Sequence, residues 1–242
     1  MGTRERRQRD FDDRERLFLG AARELIREEG LLNLQMSRVS ERCEYAVGTL
    51  YQHFRSKEDL LIMLTQETAA QHMHLFQRAI DWKAPTRDRM FAIGVADMMF
   101  VRRNPEHFRV AQYAMCEAVW NAASEERRAA LLDTHEHIRE AVNAIIDDAV
   151  KNGDLDLQGL SGDQLARGLW ALSFGTHNMV HAKGVLRDVE GHDPYRMMCL
   201  HLQVMLNGYG WKPLADLNDS RGVDRLIDRV QREVFDDLCL EK

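Results

Sequence analysis

The sequence predicts an all-helical protein with a small N-terminal unit and a larger helical body. Three observations carry that prediction. Ala, Leu, Met, Glu, Arg and Gln are abundant while only 4 prolines occur among 242 residues, so intrinsic preference favours helix almost throughout. Apolar residues recur at three- and four-residue spacing in segment after segment, and no stretch reads as a convincing strand. Capping residues, Gly and Pro punctuate those segments where helices should start and stop.

Taken in order, residues 13–29 place Leu17, Phe18, Ala21, Ala22, Leu25 and Ile26 on one stripe, and Gly30 supplies the stop. Ahead of them Arg4, Arg6, Arg7 and Arg9 are expected to form a flexible basic arm, with a merely solvated tail as the plain alternative. A short second helix over about 36–43 turns Met36, Val39 and Cys43 inward; 44–46 reads as a tight turn, and 47–54 as a third short helix with Leu50, Tyr51 and Phe54 positioned for packing. Ser56 and Asp59 have capping spacing for a fourth helix, which runs through Leu60, Leu61, Leu64 and His72 to about Asp81 and is long enough to connect two units. Pro85 separates it from a helix over 86–103, Asn104-Pro105 opens the next, and a further helix reaches about Asn121. Ser124 precedes a long periodic segment to about Lys151. Ser161 and Gln164 form a capping-box pattern for a helix to about Lys183, and Pro194 opens another ending near Trp211. Beyond Pro213, Val223, Leu226, Ile227, Val230 and Val234 mark a last amphipathic helix, packed on the body or across a dimer.

Composition narrows the function. Hydrophobic residues at 45% and charged residues at 30% fit a folded domain, not a disordered one. The net charge of −6 is uneven: residues 1–57 hold 12 Lys+Arg against 10 Asp+Glu, or +2, which leaves −8 for the rest. A locally basic face can meet phosphate while an acidic remainder resists nonspecific adhesion to nucleic acid. The charged start lacks a leader's apolar stretch and no run is long enough to span a bilayer, so a cytoplasmic location is expected. Cys43, Cys116, Cys199 and Cys239 are dispersed, which argues against a zinc finger and a disulfide framework and leaves reduced thiols as the expectation. With no HExxH, Gly-rich phosphate loop or serine elbow, neither catalysis nor a cofactor is expected.

The informative stretch runs Val39-Ser40-Glu41-Arg42-Cys43-Glu44-Tyr45-Ala46-Val47-Gly48-Thr49-Leu50-Tyr51-Gln52-His53-Phe54-Arg55-Ser56-Lys57-Glu58-Asp59-Leu60-Leu61. A DNA-reading helix must be short, expose its N-terminal side chains and be held by apolar residues behind. Here Leu50 and Phe54 face inward, whereas Val47, Gly48, Thr49, Tyr51, Gln52 and His53 can approach a major groove. Hydroxyls of Thr49 and Tyr51 suit phosphate oxygens, Gly48 admits close backbone approach, and Ala46 or Val47 could meet a thymine methyl. Lys57 adds charge where helix N–H groups already attract an anion. Tyr51 closing the small core and Lys57 as ordinary surface are the competing structural roles.

Over about residues 13–65 this pattern resembles the TetR (AcrR-like) family, through Gly48-Thr49-Leu50-Tyr51, Phe54 and Ser56-Lys57-Glu58-Asp59-Leu60-Leu61. The resemblance implies a helix-turn-helix DNA-binding domain at 1–57 and a ligand-binding and dimerisation domain at 58–242. It also implies backbone or base contacts from the matching positions, with Ser37 and Arg38 as further contributors, and pairing of the helices at about 161–183 and 193–211 in a two-fold dimer. Glu44 stands where a turn glycine is usual, Tyr45 where a smaller apolar residue is, Ala46-Val47 where polar or basic residues are frequent, and Gln35 where a threonine cap is common. A dimer is also asked for physically, because one small helix-turn-helix covers few bases.

The expected function is a sequence-specific, double-stranded-DNA-binding regulator, most often a repressor in such a family, released by a small, largely apolar effector. Phe91, Met98, Phe108, Tyr113, Trp120, Trp170, Phe174 and His177 are the candidate ligand-binding residues, with plain core packing as the competing role for each. His107 and His135 are further polar handles. A helical ligand-binding or metal-dependent protein without DNA-binding activity is the alternative, with His177 and His181 on one helical face as its only metal-like pair; a regulator answering to a protein partner is the third reading.

Overall fold

A computed structural model describes residues 3–182 and 193–239. The described residues contain helices and one short 3₁₀ turn and no strand: α1 (Thr3–Glu29), the 3₁₀ turn (Leu31–Asn33), α2 (Met36–Arg42), α3 (Val47–His53), α4 (Lys57–Asp81), α5 (Thr86–Arg103), α6 (Pro105–Ala114), α7 (Glu117–Ala122), α8 (Glu125–Asn152), α9 (Gly162–His181), α10 (Pro194–Gly208), α11 (Gly222–Val234) and α12 (Asp236–Cys239). They fold as two compact units. One comprises the described residues up to Thr68 together with Glu106–Asp133, and the other comprises Ala69–Pro105 together with the described residues from Thr134 onward.

The expected basic arm is helical. α1 begins at Thr3, because Arg, Gln and Glu are good helix formers and the segment supports itself through a Gln8–Asp12 side-chain hydrogen bond of 2.9 Å and an Arg14 bond to the Asp10 carbonyl. The turn before α3 holds Glu44 at φ 58°, the left-handed conformation that a glycine would adopt without steric cost. In the first unit Phe18, Ala22, Leu25, Val39, Leu50, Phe54, Leu60 and Leu61 form one buried core with Leu131 of α8.

α5 organises the second unit. Thirteen of its eighteen residues are buried, as a helix surrounded by others requires. Gly94 allows α10 to come close, since a Cβ there would lie 2.4 Å from Leu202 Cδ1. The expected capping box of α9 is present: Ser161 Oγ accepts from Gln164 N and Gln164 Oε1 accepts from Ser161 N. The helix end expected near Lys183 lies outside the described residues. The last amphipathic helix packs on the body of its own chain. Val223, Val230, Val234 and Phe235 join the core of the second unit, and the Arg78 guanidinium lies 5.2 Å from the Phe235 ring centre.

Candidate nucleic-acid interface

Leu50 and Phe54 are fully buried, so α3 is fixed by its inner face and its outer face is left to water. Ala46, Val47, Gly48, Tyr51 and Gln52 are exposed there, Tyr51 by 48% and Val47 by 43%, and Thr49 is half buried. Tyr51 therefore does not close the small core. Gly48 has no atom within 4 Å of where a Cβ would sit, so packing within the chain does not require glycine at this position.

His53 is placed differently from the expectation. Three residues beyond Leu50 it falls on the same inner stripe, and its ring is buried, stacked on Phe11 at 3.9 Å, with Nδ1 3.7 Å from Glu15. Burial holds its pKa below the ordinary value, against the upward pull of Glu15. His53 thus sits behind the exposed face of α3 as a neutral packing group.

The C-terminal end of α3 and the turn after it are tied down by residues from afar. At its C-terminal end the His53 carbonyl accepts from Arg127 at 3.2 Å. The same guanidinium reaches Glu15 at 3.1 Å and lies 5.4 Å from the Phe54 ring centre. In the turn that follows, buried Asp59 accepts from the Arg55 N–H at 3.3 Å and from the Ser124 N–H at 2.6 Å, while its own N–H donates to Ser56 Oγ at 3.1 Å. Sequence reading found the Ser56–Asp59 cap but missed Arg127, which stands 74 residues from its α3 partner and carries no local signal.

The basic side chains near this face are unequally free. Arg38 is exposed and pairs with Glu29 at 2.6 Å, and Arg42 pairs with Glu28 at 2.7 Å and Glu24 at 3.3 Å. Lys57 has no carboxylate within ion-pair distance among the described residues, and Ser37 is exposed. An exposed helix face carrying hydroxyls, an amide and an open glycine, flanked by Lys57 and Arg38, can hydrogen-bond phosphate and base edges.

The candidate ligand residues divide between the units. Tyr113 and Trp120 are half buried against the core of the first unit, where Phe108 is also buried. Phe91 and Met98 are sealed in the core of the second. Trp170 is 60% exposed on α9 and stacks on Phe174 at 5.0 Å. Cavities of about 620 Å³ and about 220 Å³ in the second unit are lined by none of these residues. His177 is buried with both ring nitrogens engaged, Nε2 at 2.9 Å from Asp97 and Nδ1 at 3.3 Å from the Tyr195 hydroxyl. His72 Nε2 approaches the other Asp97 oxygen at 3.2 Å, and its ring stacks on Phe100 at 4.6 Å. Burial opposes ionisation of Asp97, yet hydrogen bonding to His177 and His72 outweighs it and holds the carboxyl well below its usual range. The sequence pointed to His177 but not to Asp97, 80 residues away. His107 is half buried in the first unit and His135 is exposed on α8. No metal-binding cluster occurs among the described residues, and no described helix is long and apolar enough to cross a membrane.

Comparison with known proteins bears on both units. Residues 18–64 match the model of the bacterial regulatory proteins of the tetR family. The fatty acid metabolism regulator protein of Bacillus subtilis (strain 168) is 33% identical over 73 residues, which is 30% of this chain and only 38% of that protein. Among solved structures, a tetR-family regulatory protein from Rhodococcus RHA1 superposes with a TM-score of 0.60 at 19% identity, covering 84% of this chain and 98% of the other. The transcriptional regulator FadR from Bacillus subtilis, solved in complex with stearoyl-CoA, gives 0.59 at 21% identity, with 79% and 97% coverage. The α2–α3 motif therefore lies within a segment, residues 18–64, that is similar to the bacterial regulatory proteins of the tetR family, and over most of its length the chain shares the all-helical fold of these solved structures.

Proposed function

We propose that the chain is a sequence-specific DNA-binding transcriptional regulator that acts as a homodimer, represses, and leaves its operator when a small, largely apolar effector binds. The observation that carries this reading is the outer face of α3: exposed, polar, and held rigidly from behind by Leu50, Phe54 and Arg127. Residues 1–57 form the DNA-binding domain in this reading and 58–242 the ligand-binding and dimerisation domain. Ser37, Arg38, Ala46, Val47, Gly48, Thr49, Tyr51, Gln52 and Lys57 make the contacts to DNA, and His53 anchors the helix.

Exposed Trp170 and Met179 on α9 and Val204 on α10 support dimerisation through those helices. Two-fold pairing would present two copies of α3 to half-sites about one turn of duplex apart or somewhat more. The FadR structure with stearoyl-CoA makes a long-chain acyl thioester the first effector to test. Because Phe91 and Met98 are sealed in, an effector meeting them must open the core of the second unit, and only a difference in affinity between DNA-competent and DNA-free states would release the operator.

Selection from a random duplex library followed by a salt titration tests the reading. The selected duplex should bind far more tightly than a scrambled one, weaken steeply as salt rises, and keep its preference. If no sequence is enriched, or selected and scrambled duplexes bind alike, the DNA-binding function is wrong and a helical ligand-binding protein without DNA activity is the reading that stands.

A further inference from the structure

In the second unit, the start of α5, one face of α10 and the segment leading into α11 enclose a cavity of about 220 Å³. Arg87 and Gln203 line it, and they are only 2% and 4% exposed. The Arg87 guanidinium donates to the Trp211 carbonyl at 2.7 Å, the Gln203 carbonyl at 3.2 Å and Gln203 Oε1 at 2.6 Å, all of them neutral acceptors. No carboxylate lies within ion-pair distance of it among the described residues, and burial pulls its pKa down to about 10. A cation withdrawn from water and held only by neutral acceptors, with neighbouring Asp88 pulling on it from beyond ion-pair distance, favours the arrival of an anion.

Gln203 sharpens the demand. Its Oε1 must face the guanidinium, since the flipped amide would set N–H against N–H, so its Nε2 is directed away from Arg87. That Nε2 is buried and has no acceptor among the described residues, an arrangement that leaves a donor unsatisfied. The remaining wall is largely apolar, with Leu200, Leu214 and Leu217, and the last two are 61% and 43% exposed. The acids of the lining do not compete for the inner end: Asp88 pairs with Arg229 at 3.1 Å, Asp219 pairs with Arg225, and Asp216 is exposed to water.

We propose that this cavity binds a short-chain monocarboxylate, whose carboxylate accepts from Gln203 Nε2 beside the Arg87 charge while its alkyl chain packs on Leu200, Leu214 and Leu217. Its volume is about that of seven waters in the liquid, which suits a chain of a few carbons and excludes a long acyl group. The site is separate from the α3 face and from the Phe91–Met98 core, and it stands whether or not the chain binds DNA.

Isothermal titration of the full chain with pentanoate, pentanamide and pentylamine tests the assignment. Pentanoate should bind, pentanamide at least about tenfold more weakly, and pentylamine not at all. Gln203→Leu, which keeps the side-chain volume, should weaken pentanoate by at least about tenfold. Leu217→Glu, at an exposed position where folding is not at stake, should do the same by setting a negative charge against the ligand. Absence of pentanoate binding, equal binding of the amide, or pentanoate affinity unchanged in both variants overturns the proposal.

Discussion

The two units handle polar groups in opposite ways. The first displays them on its outer face: Tyr51, Gln52 and Ser37 face water, while Arg127 and Asp59 fix the C-terminal end of α3 and the turn after it. The second hides them, holding Asp97 between His72 and His177 inside a helical core. A displayed group costs nothing to remove except what it binds, whereas a hidden one leaves its partners stranded. Substitutions of the displayed groups of the first unit should therefore change binding without changing stability, and those of the hidden groups of the second should do the reverse. Asp97→Ala puts the largest strain on this contrast. Deleting one partner of a buried charged cluster typically costs about 3–5 kcal/mol, so denaturant unfolding should show a loss of that order. A loss below about 1 kcal/mol, within the range of exposed pairs, would mean that water reaches the cluster.

The next largest effect is on binding. Tyr51→Phe with Lys57→Ala removes a hydroxyl and a charge from the displayed face, and together they should weaken capture of a selected duplex by about a hundredfold. The slope of log K against log salt should fall by about one per subunit for the lost lysine. Stability should stay within about 0.5 kcal/mol of the parent, because neither group holds the core. A doubly substituted protein that folds normally and binds as before would remove α3 from the interface.

Gly48→Ala separates the two roles at a single residue. No neighbour lies where the new methyl would go, and alanine is the better helix former, so stability should rise slightly, by about 0.5 kcal/mol at this first-turn position. Binding should nonetheless weaken, since the methyl stands between the backbone and the duplex. If both stability and affinity rise, the backbone at Gly48 does not approach DNA.

Sequence pattern carried the fold further than it carried the sites, for a physical reason. Helix periodicity, caps and prolines are local, so α5 was legible over its full length and the capping box of α9 to the residue. The inward positions of Leu50 and Phe54 followed from the same spacing. The same spacing sets His53, three residues from Leu50, on the inner stripe, where its polar ring is buried against Phe11 although its polarity suits the outer face. Asp97 with His177, Arg127 with the His53 carbonyl, and Arg87 with Trp211 join residues 74 or more apart, and no local pattern announces such pairs. The flexible basic arm failed for the converse reason: a charge run suggests a mobile segment, although its residues are good helix formers.

The smallest expected effect is a slope with pH, and it asks whether the first unit also hides a titrating group. Burial depresses the pKa of His53 in the folded state, so the unfolded chain takes up a proton more readily near the ordinary value of 6.5. The stability His53 contributes is fully present above that value and is lost as pH falls from it toward the lower folded pKa. Unfolding midpoints should therefore decline as pH drops below about 6.5, ahead of any carboxylate titration. His53→Phe keeps an aromatic ring against Phe11 and removes the proton, so it should flatten this limb. The flattening should be incomplete, because His107 in the same unit is likewise depressed, first by burial and then by Arg23 and Arg27. A limb unchanged in His53→Phe and abolished in His107→Phe would assign the whole slope to His107 and return the His53 imidazole to solvent, on the displayed side of α3.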